Sequence, residues 1–133
     1  MMEIVKKIKK IKKIKKIKKV KKVKKIKKVR SKKAEYRELD NIWKTKVKQR
    51  DNYMCQICNK KVEGKNCHAH HILPRQFSKL RWDVANGITL CYRHHKVGKF
   101  SAHQNAIWFY GWMRANKIQQ LRYLITKLTE YKE

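Results

Sequence analysis

The stretch Asn66-Cys67-His68-Ala69-His70-His71-Ile72-Leu73-Pro74 decides how the chain is read. It sets two adjacent histidines at the end of a short extended segment, with a proline closing it. Neighbouring side chains on a strand point to opposite sides, so one imidazole can hold a metal ion while the next faces a different target. The other chemically suggestive residues fall on both sides of this pair. Cys55 and Cys58 precede it, and Asn86, Cys91, His94 and His95 follow it.

Cys55-Gln56-Ile57-Cys58 runs into Asn59-Lys60-Lys61, a knuckle turn, and Cys91-Tyr92-Arg93-His94 makes a second pair. Two intervening residues in each pair let both side chains reach one ion. Together the pairs offer three thiolates and one imidazole, a tetrahedral set suited to structural zinc. A redox dithiol would need a thioredoxin-like βαβ setting, and no such pattern surrounds Cys55 and Cys58. Cys67 has no partner at ligand spacing and is expected to be a buried strand residue. The N-terminus has no apolar leader, and no run of about 18 apolar residues is present. A reducing, cytoplasmic setting with metal-bound thiols is therefore expected rather than disulfides or membrane attachment.

Charge names the partner. The chain has 133 residues, 38 of them Lys or Arg against 9 acids, for a formal charge of +29. Residues 1–33 form a lysine-rich, low-complexity arm, and residues 34–133 still carry 19 basic residues against 8 acids. Nucleic acid is the first candidate for a polyanionic partner and an acidic membrane surface the second. In the arm a β-branched residue recurs every third position from Val5 through Ile8, Ile11, Ile14, Ile17, Val20, Val23 and Ile26 to Val29. Three residues advance an α-helix by about 300°, so this row slips by about 60° per repeat and makes no fixed stripe. The arm is expected to be mobile when free, and any helix it forms has no packing face. Non-specific phosphate binding by counterion release is its expected role.

The body reads as alternating elements. Ser31 is placed to cap a helix, and Tyr36, Leu39, Trp43 and Val47 mark an apolar face. Asp51-Asn52 breaks that helix. Asn86-Gly87 signals a turn, Ile88-Thr89-Leu90 a strand, and Cys91 to Lys96 the opening of a helix carrying His95. The order is strand, loop, strand, helix: a β-β-α unit. Trp108 and Trp112 share one later helix face, and Leu121, Leu124, Ile125 and Leu128 share another, both expected to cover that unit. No Gly-rich phosphate cradle appears, so no nucleotide cofactor is expected.

Arg50-Asp51-x-Tyr53-x-Cys55-x-x-Cys58, then Ala69-His70-His71-Ile72-x-Pro74, then Asn86-Gly87-Ile88-Thr89-Leu90-Cys91-x-x-His94-His95 resembles the HNH endonucleases, phage-type members included. His71 to Asn86, with Arg75 and Arg81-Trp82-Asp83, is also similar to phage NinG-type recombination proteins. The resemblance implies an α+β fold: a small ββα-metal, treble-clef-like unit with a zinc knuckle, a core over about 43–100 and C-terminal helices over about 104–131. It implies a DNA endonuclease of double-stranded DNA, with His71 as general base, His70 and His95 as ligands of a catalytic ion, and Asn86 bracing the loop after the base. That ion could be Mg²⁺, Mn²⁺, Ni²⁺ or Zn²⁺. The alternative is an inactive zinc-stabilised DNA-binding or recombination-accessory protein. Two positions depart from the family pattern: His94 stands where a fourth cysteine is usual, and Lys99 where some members have a third histidine ligand. His103 could replace the latter if the chain loops back. Arg75, Lys79, Arg81, Arg93, Lys96 and Lys99 are the expected phosphate contacts.

Overall fold

The structure, a computed structural model, describes residues 2–131, with side chains described at 10–19 and 31–131. The chain divides into two units, Met1–Glu38 and Leu39–Glu133.

The first unit is helical and belongs to α1, Met2–Arg50. The lysine-rich arm is thus drawn as a helix. Lysine is a good helix former, and neither glycine nor proline interrupts the first 50 residues. The backbone can therefore close its hydrogen bonds without a packed face. Ile11, Ile14 and Ile17 are exposed, as a period of three requires. The same repeat at Val5, Ile8, Val20, Val23, Ile26 and Val29 lies outside the described side chains. Ser31 lies inside α1 and does not cap it, because the helix is already running there. Tyr36, expected on the core face, is exposed.

In the second unit Trp43 and Val47 are fully buried on the last turns of α1. The helix stops at Arg50, where Asn52 and Tyr53 take left-handed φ values of 52° and 55°. Arg50 and Asp51 then fasten this corner. Arg50 donates to both Asp51 carboxylate oxygens at 2.8 and 3.0 Å and to the Val84 and Gly87 carbonyls at 2.7 and 2.8 Å. Asp51 in turn accepts from the Thr89 amide at 2.8 Å.

The sheet has two antiparallel strands, β1 (His68–His71) and β2 (Gly87–Leu90), with His68 opposite Leu90, His70 opposite Ile88 and His71 opposite Gly87. A 3-10 turn over Val84–Asn86, capped by the Asp83 carboxylate, delivers β2. Gly87 is needed for space rather than for an unusual φ. A Cβ there would run into Val47 Cγ2 and lie 2.7 Å from Trp43 Cζ2. The helix therefore sits directly on the strand backbone. After β2 the chain makes one wide π-type turn, Arg93–Val97, completing the expected β-β-α order.

The helices α2 (Ala106–Asn116) and α3 (Ile118–Thr129) close the unit. Phe109 and Met113 are the buried residues of α2, while Trp108 and Trp112 are half-buried and pack against the same cluster. On α3 Leu121 and Leu124 are buried, and Ile125 is exposed. Phe109, Met113 and Leu121 join Val62, Cys67, Ile88 and Leu90 in one core. Cys67 is buried, as expected of a residue entering β1. No helix among the described residues is long and apolar enough to cross a membrane.

Gly87→Ala should lower the unfolding free energy by about 1–3 kcal/mol, the usual cost of overpacking a well-filled contact. Urea unfolding of the variant measures it, and an unchanged midpoint would contradict the close approach of α1 to β2.

Candidate metal centres and active site

Cys55, Cys58, Cys91 and His94 come together, each offering a ligand atom within 4.8 Å of the others. The knuckle follows from local backbone bonds. The Asn59 amide donates to the Cys55 carbonyl at 2.8 Å with Asn59 at φ 54°, and the Cys55 amide donates to the Lys60 carbonyl at 2.9 Å. The Gln56 amide donates to the Thr89 carbonyl at 3.0 Å and ties the knuckle to β2. His94 Nδ1 lies 3.2 Å from Cys91 Sγ and 3.7 Å from Cys55 Sγ. Burial pushes the Cys91 thiol up, and the neighbouring Cys55 and Cys58 sulfurs push it further. Three sulfurs crowded in this way need a cation to ionise together. Burial also lowers His94, which keeps its ring neutral and able to donate a lone pair. The donor set and its spacing fit a structural metal of the zinc type.

A second cluster is built from histidines alone: His70, His95 and His103, again with ligand atoms within 4.8 Å of one another. His70 comes from β1 and His95 from the wide turn after β2. His103 arrives because the chain does loop back. The Ala102 amide donates to the His94 carbonyl at 2.9 Å and the His103 amide to the His95 carbonyl at 3.2 Å. Nε2 of His95 and Nε2 of His103 stand 3.2 Å apart. Two nitrogens bound about 2.1 Å from a tetrahedral ion would be about 3.4 Å apart, so the spacing suits a shared cation. Burial lowers His70 to about 3 and His95 to about 4, with the neighbouring imidazoles adding to both. Both rings are neutral at pH 7 and have lone pairs to give.

His71 faces away from that cluster. Its ring stacks on Trp43, with centroids 3.7 Å apart and planes 10° apart. Its Nε2 donates to the Arg81 carbonyl at 2.8 Å. A carbonyl only accepts, so Nε2 carries the hydrogen and Nδ1 keeps its lone pair. Burial lowers the His71 pKa, with the Arg81 carbonyl opposing that shift, so the ring is a neutral acceptor at pH 7. His71 and the three clustered histidines line one cavity of about 810 Å³, with Arg75 and Lys96 also on its wall.

Asn86 is fully buried and clamps the loop after His71. Its amide donates to the Leu73 and Leu80 carbonyls at 3.2 and 3.0 Å, and its Oδ1 accepts from the Leu73 amide at 2.6 Å. It acts on loop shape and is not presented to solvent. Of the expected phosphate contacts, Arg75, Lys79, Arg93, Lys96 and Lys99 are exposed. Arg81 departs from the expectation, because its guanidinium is committed to Asp40 through two bonds at 3.0 and 2.8 Å. His68 lays its ring 4.7 Å from that of His95. Among the described residues, His68 Nε2 and His95 Nδ1 are buried without a hydrogen-bond partner. Trp43 gave no sign beyond a core position that it would carry the ring of His71.

The depressed histidines predict a pH window. In the unfolded chain they would take up protons below about pH 6.5, whereas the folded chain resists until about 3 to 4. Their contribution to stability is thus complete above pH 6.5 and lost as pH falls toward 4. Thermal melts without added divalent ion should show the midpoint dropping across that range. A midpoint flat from pH 7 to pH 4 would contradict the buried, neutral cluster.

Comparison with known proteins adds one match. Residues 55–107 match the family model described as HNH endonuclease. No curated protein and no solved structure matches the chain. The matched segment holds both metal-ligand clusters, both strands and the loop clamped by Asn86. Over residues 55–107, therefore, this chain is similar to the HNH endonucleases.

Proposed function

We propose that the chain is a metal-dependent endonuclease that hydrolyses DNA phosphodiester bonds, with His71 as the general base. The observation that carries the reading is the division of labour at the end of β1. His70 joins a three-imidazole cluster, and His71 turns the other way with a free Nδ1, yet both line the same cavity.

Phosphodiester hydrolysis needs an activated water and relief of charge on the phosphate and the leaving oxygen. A divalent ion held by His70, His95 and His103 would supply the second requirement. His71 Nδ1 is suited to take the water's proton, because its ring is neutral and its orientation is fixed by Trp43 and the Arg81 carbonyl. The cluster contains no carboxylate, and three neutral imidazoles favour Ni²⁺ or Zn²⁺ over Mg²⁺. Cys55, Cys58, Cys91 and His94 would hold a structural zinc. Arg75 and Lys96 on the cavity wall are placed to position the scissile strand. The lysine-rich residues 1–33 would add sequence-independent affinity for the phosphate backbone.

The rival reading, an inactive zinc-stabilised DNA-binding or recombination-accessory protein, drew on Lys99 standing in a ligand position. His103 beside His95 weakens that ground.

A plasmid-nicking series with Mg²⁺, Mn²⁺, Ni²⁺, Zn²⁺ or EDTA tests the proposal. The intact chain should convert supercoiled plasmid only with a divalent ion. His71→Ala should lose at least about 100-fold in rate while still binding DNA, in the range expected for loss of a general base. Removing residues 1–30 should weaken binding and flatten its salt dependence. Binding without cleavage in every metal would instead favour the accessory role, and cleavage by a clean His71→Ala preparation would refute the base assignment.

A further inference from the structure

Asp40 is a half-buried carboxylate that the roles above leave without work. It accepts from Arg81 Nε at 3.0 Å, from Arg81 Nη2 at 2.8 Å and from the Trp82 indole Nε1 at 2.9 Å. One turn further along the helix, the Trp43 indole Nε1 donates to the Asp83 carbonyl at 2.8 Å. Asp40 and Trp43 stand at i and i+3, on one face of α1. That face therefore grips three consecutive loop residues, Arg81, Trp82 and Asp83.

The grip closes on His71. The backbone carbonyl of Arg81, from the same residue whose guanidinium Asp40 holds, accepts from His71 Nε2 at 2.8 Å. The face of the His71 ring rests on Trp43. One helix face thus controls both the plane of the imidazole, through Trp43, and its rotation within that plane, through Asp40, Arg81 and the carbonyl. The side-chain atoms of Asp40 and Arg81 are only 13% and 19% exposed, which shields this ion pair from the screening that weakens surface pairs. The Arg81 guanidinium holds the Asp40 carboxyl below the usual carboxylate range, so the charge that makes the fork is present at neutral pH.

We propose that Asp40 is a positioning residue for the general base: by fastening Arg81 and Trp82 to α1, it keeps the Arg81 carbonyl on His71 Nε2 and so aims Nδ1 at the attacking water. The proposal rests on the assignment of His71 as the base. Asp40 does not line the cavity that holds the four histidines and acts through the loop. Without it the Arg81 guanidinium and the Trp82 indole lose their shared carboxylate acceptor, and the carbonyl that sets the rotation of the His71 ring loses that anchor. Displacing a reacting group by about 1 Å can cost about 100-fold in rate, so a remote carboxylate can matter this much.

Asp40→Ala and Asp40→Asn test the proposal in the full-length chain with its zinc. Asparagine keeps an oxygen for Trp82 and gives up part of the fork to Arg81. Three quantities are measured: nicking kinetics, zinc content with melting temperature, and the proton resonance of His71 Nε2–H. The expected result is a fall in kcat of about 10- to 100-fold for alanine and a smaller fall for asparagine. KM for plasmid should stay within about twofold, with zinc retained. The Nε2–H resonance, protected by its carbonyl in the parent, should be lost to exchange with water in Asp40→Ala. A kcat within twofold of the parent, or a resonance that persists, would overturn the proposal. So would a loss of activity that appears only together with loss of zinc. If the parent itself does not cleave DNA, the nuclease reading fails, and the resonance alone still decides whether Asp40 anchors His71.

Discussion

Two strands of four residues each cannot hold themselves together in water, yet both candidate metal clusters hang on one such pair, His68–His71 against Gly87–Leu90. The pairing survives because both ends are fastened. At one end α1 lies directly on Gly87, and Arg50 and Asp51 bind the start and middle of β2. At the other end β2 runs straight into Cys91, whose sulfur belongs to the Cys55, Cys58 and His94 cluster. A metal there closes the loop between the knuckle and the strand. Binding energy at such a site is folding energy for a small domain. The cysteine-rich cluster and the three-histidine cluster are therefore mechanically coupled, since the adjacent His94 and His95 belong one to each.

The strand's period of two does the chemical sorting. His70 points into the cluster with His95 and His103, and His71 points to Trp43. A one-residue slip of register would exchange these surroundings and leave neither ring with its partners. Register is fixed from outside the sheet. Asn86, buried at the start of β2, holds the carbonyls of Leu73 and Leu80, and its own carbonyl accepts from Ile72 at 3.1 Å. Asn86 is thus a brace whose failure would be felt first at the loop that follows His71.

Much of this was legible in the sequence, and the limits have physical reasons. The paired Cys-x-x-Cys and Cys-x-x-His spacings announce a shared ion because two intervening residues fix the reach of both side chains, and the four residues do converge. His70 and His95 were matched through the motif order. His103 was not required by any spacing, because its position depends on the return of the chain over Gly98 and on backbone bonds from Ala102 and His103 to the preceding turn. Trp43 was read as core and Arg81 as a phosphate contact, and Asp40 stood out in no pattern. Their contacts join positions about 40 residues apart, which no local pattern encodes. The lysine arm is a different case. Its period of three excludes a packed stripe, but helix formation needs only propensity and backbone bonds, and α1 runs through it.

The central claim is that this small sheet carries two distinct metal centres a few residues apart. Anomalous diffraction from crystals grown with Zn²⁺, and again with Mn²⁺ or Ni²⁺ added, measures it directly. The account predicts one ion bound by Cys55, Cys58, Cys91 and His94, and a second, exchangeable ion bound by His70, His95 and His103, with His71 ligating neither. A single ion shared among these residues, or an imidazole cluster that stays empty while His71 binds the metal, would contradict it.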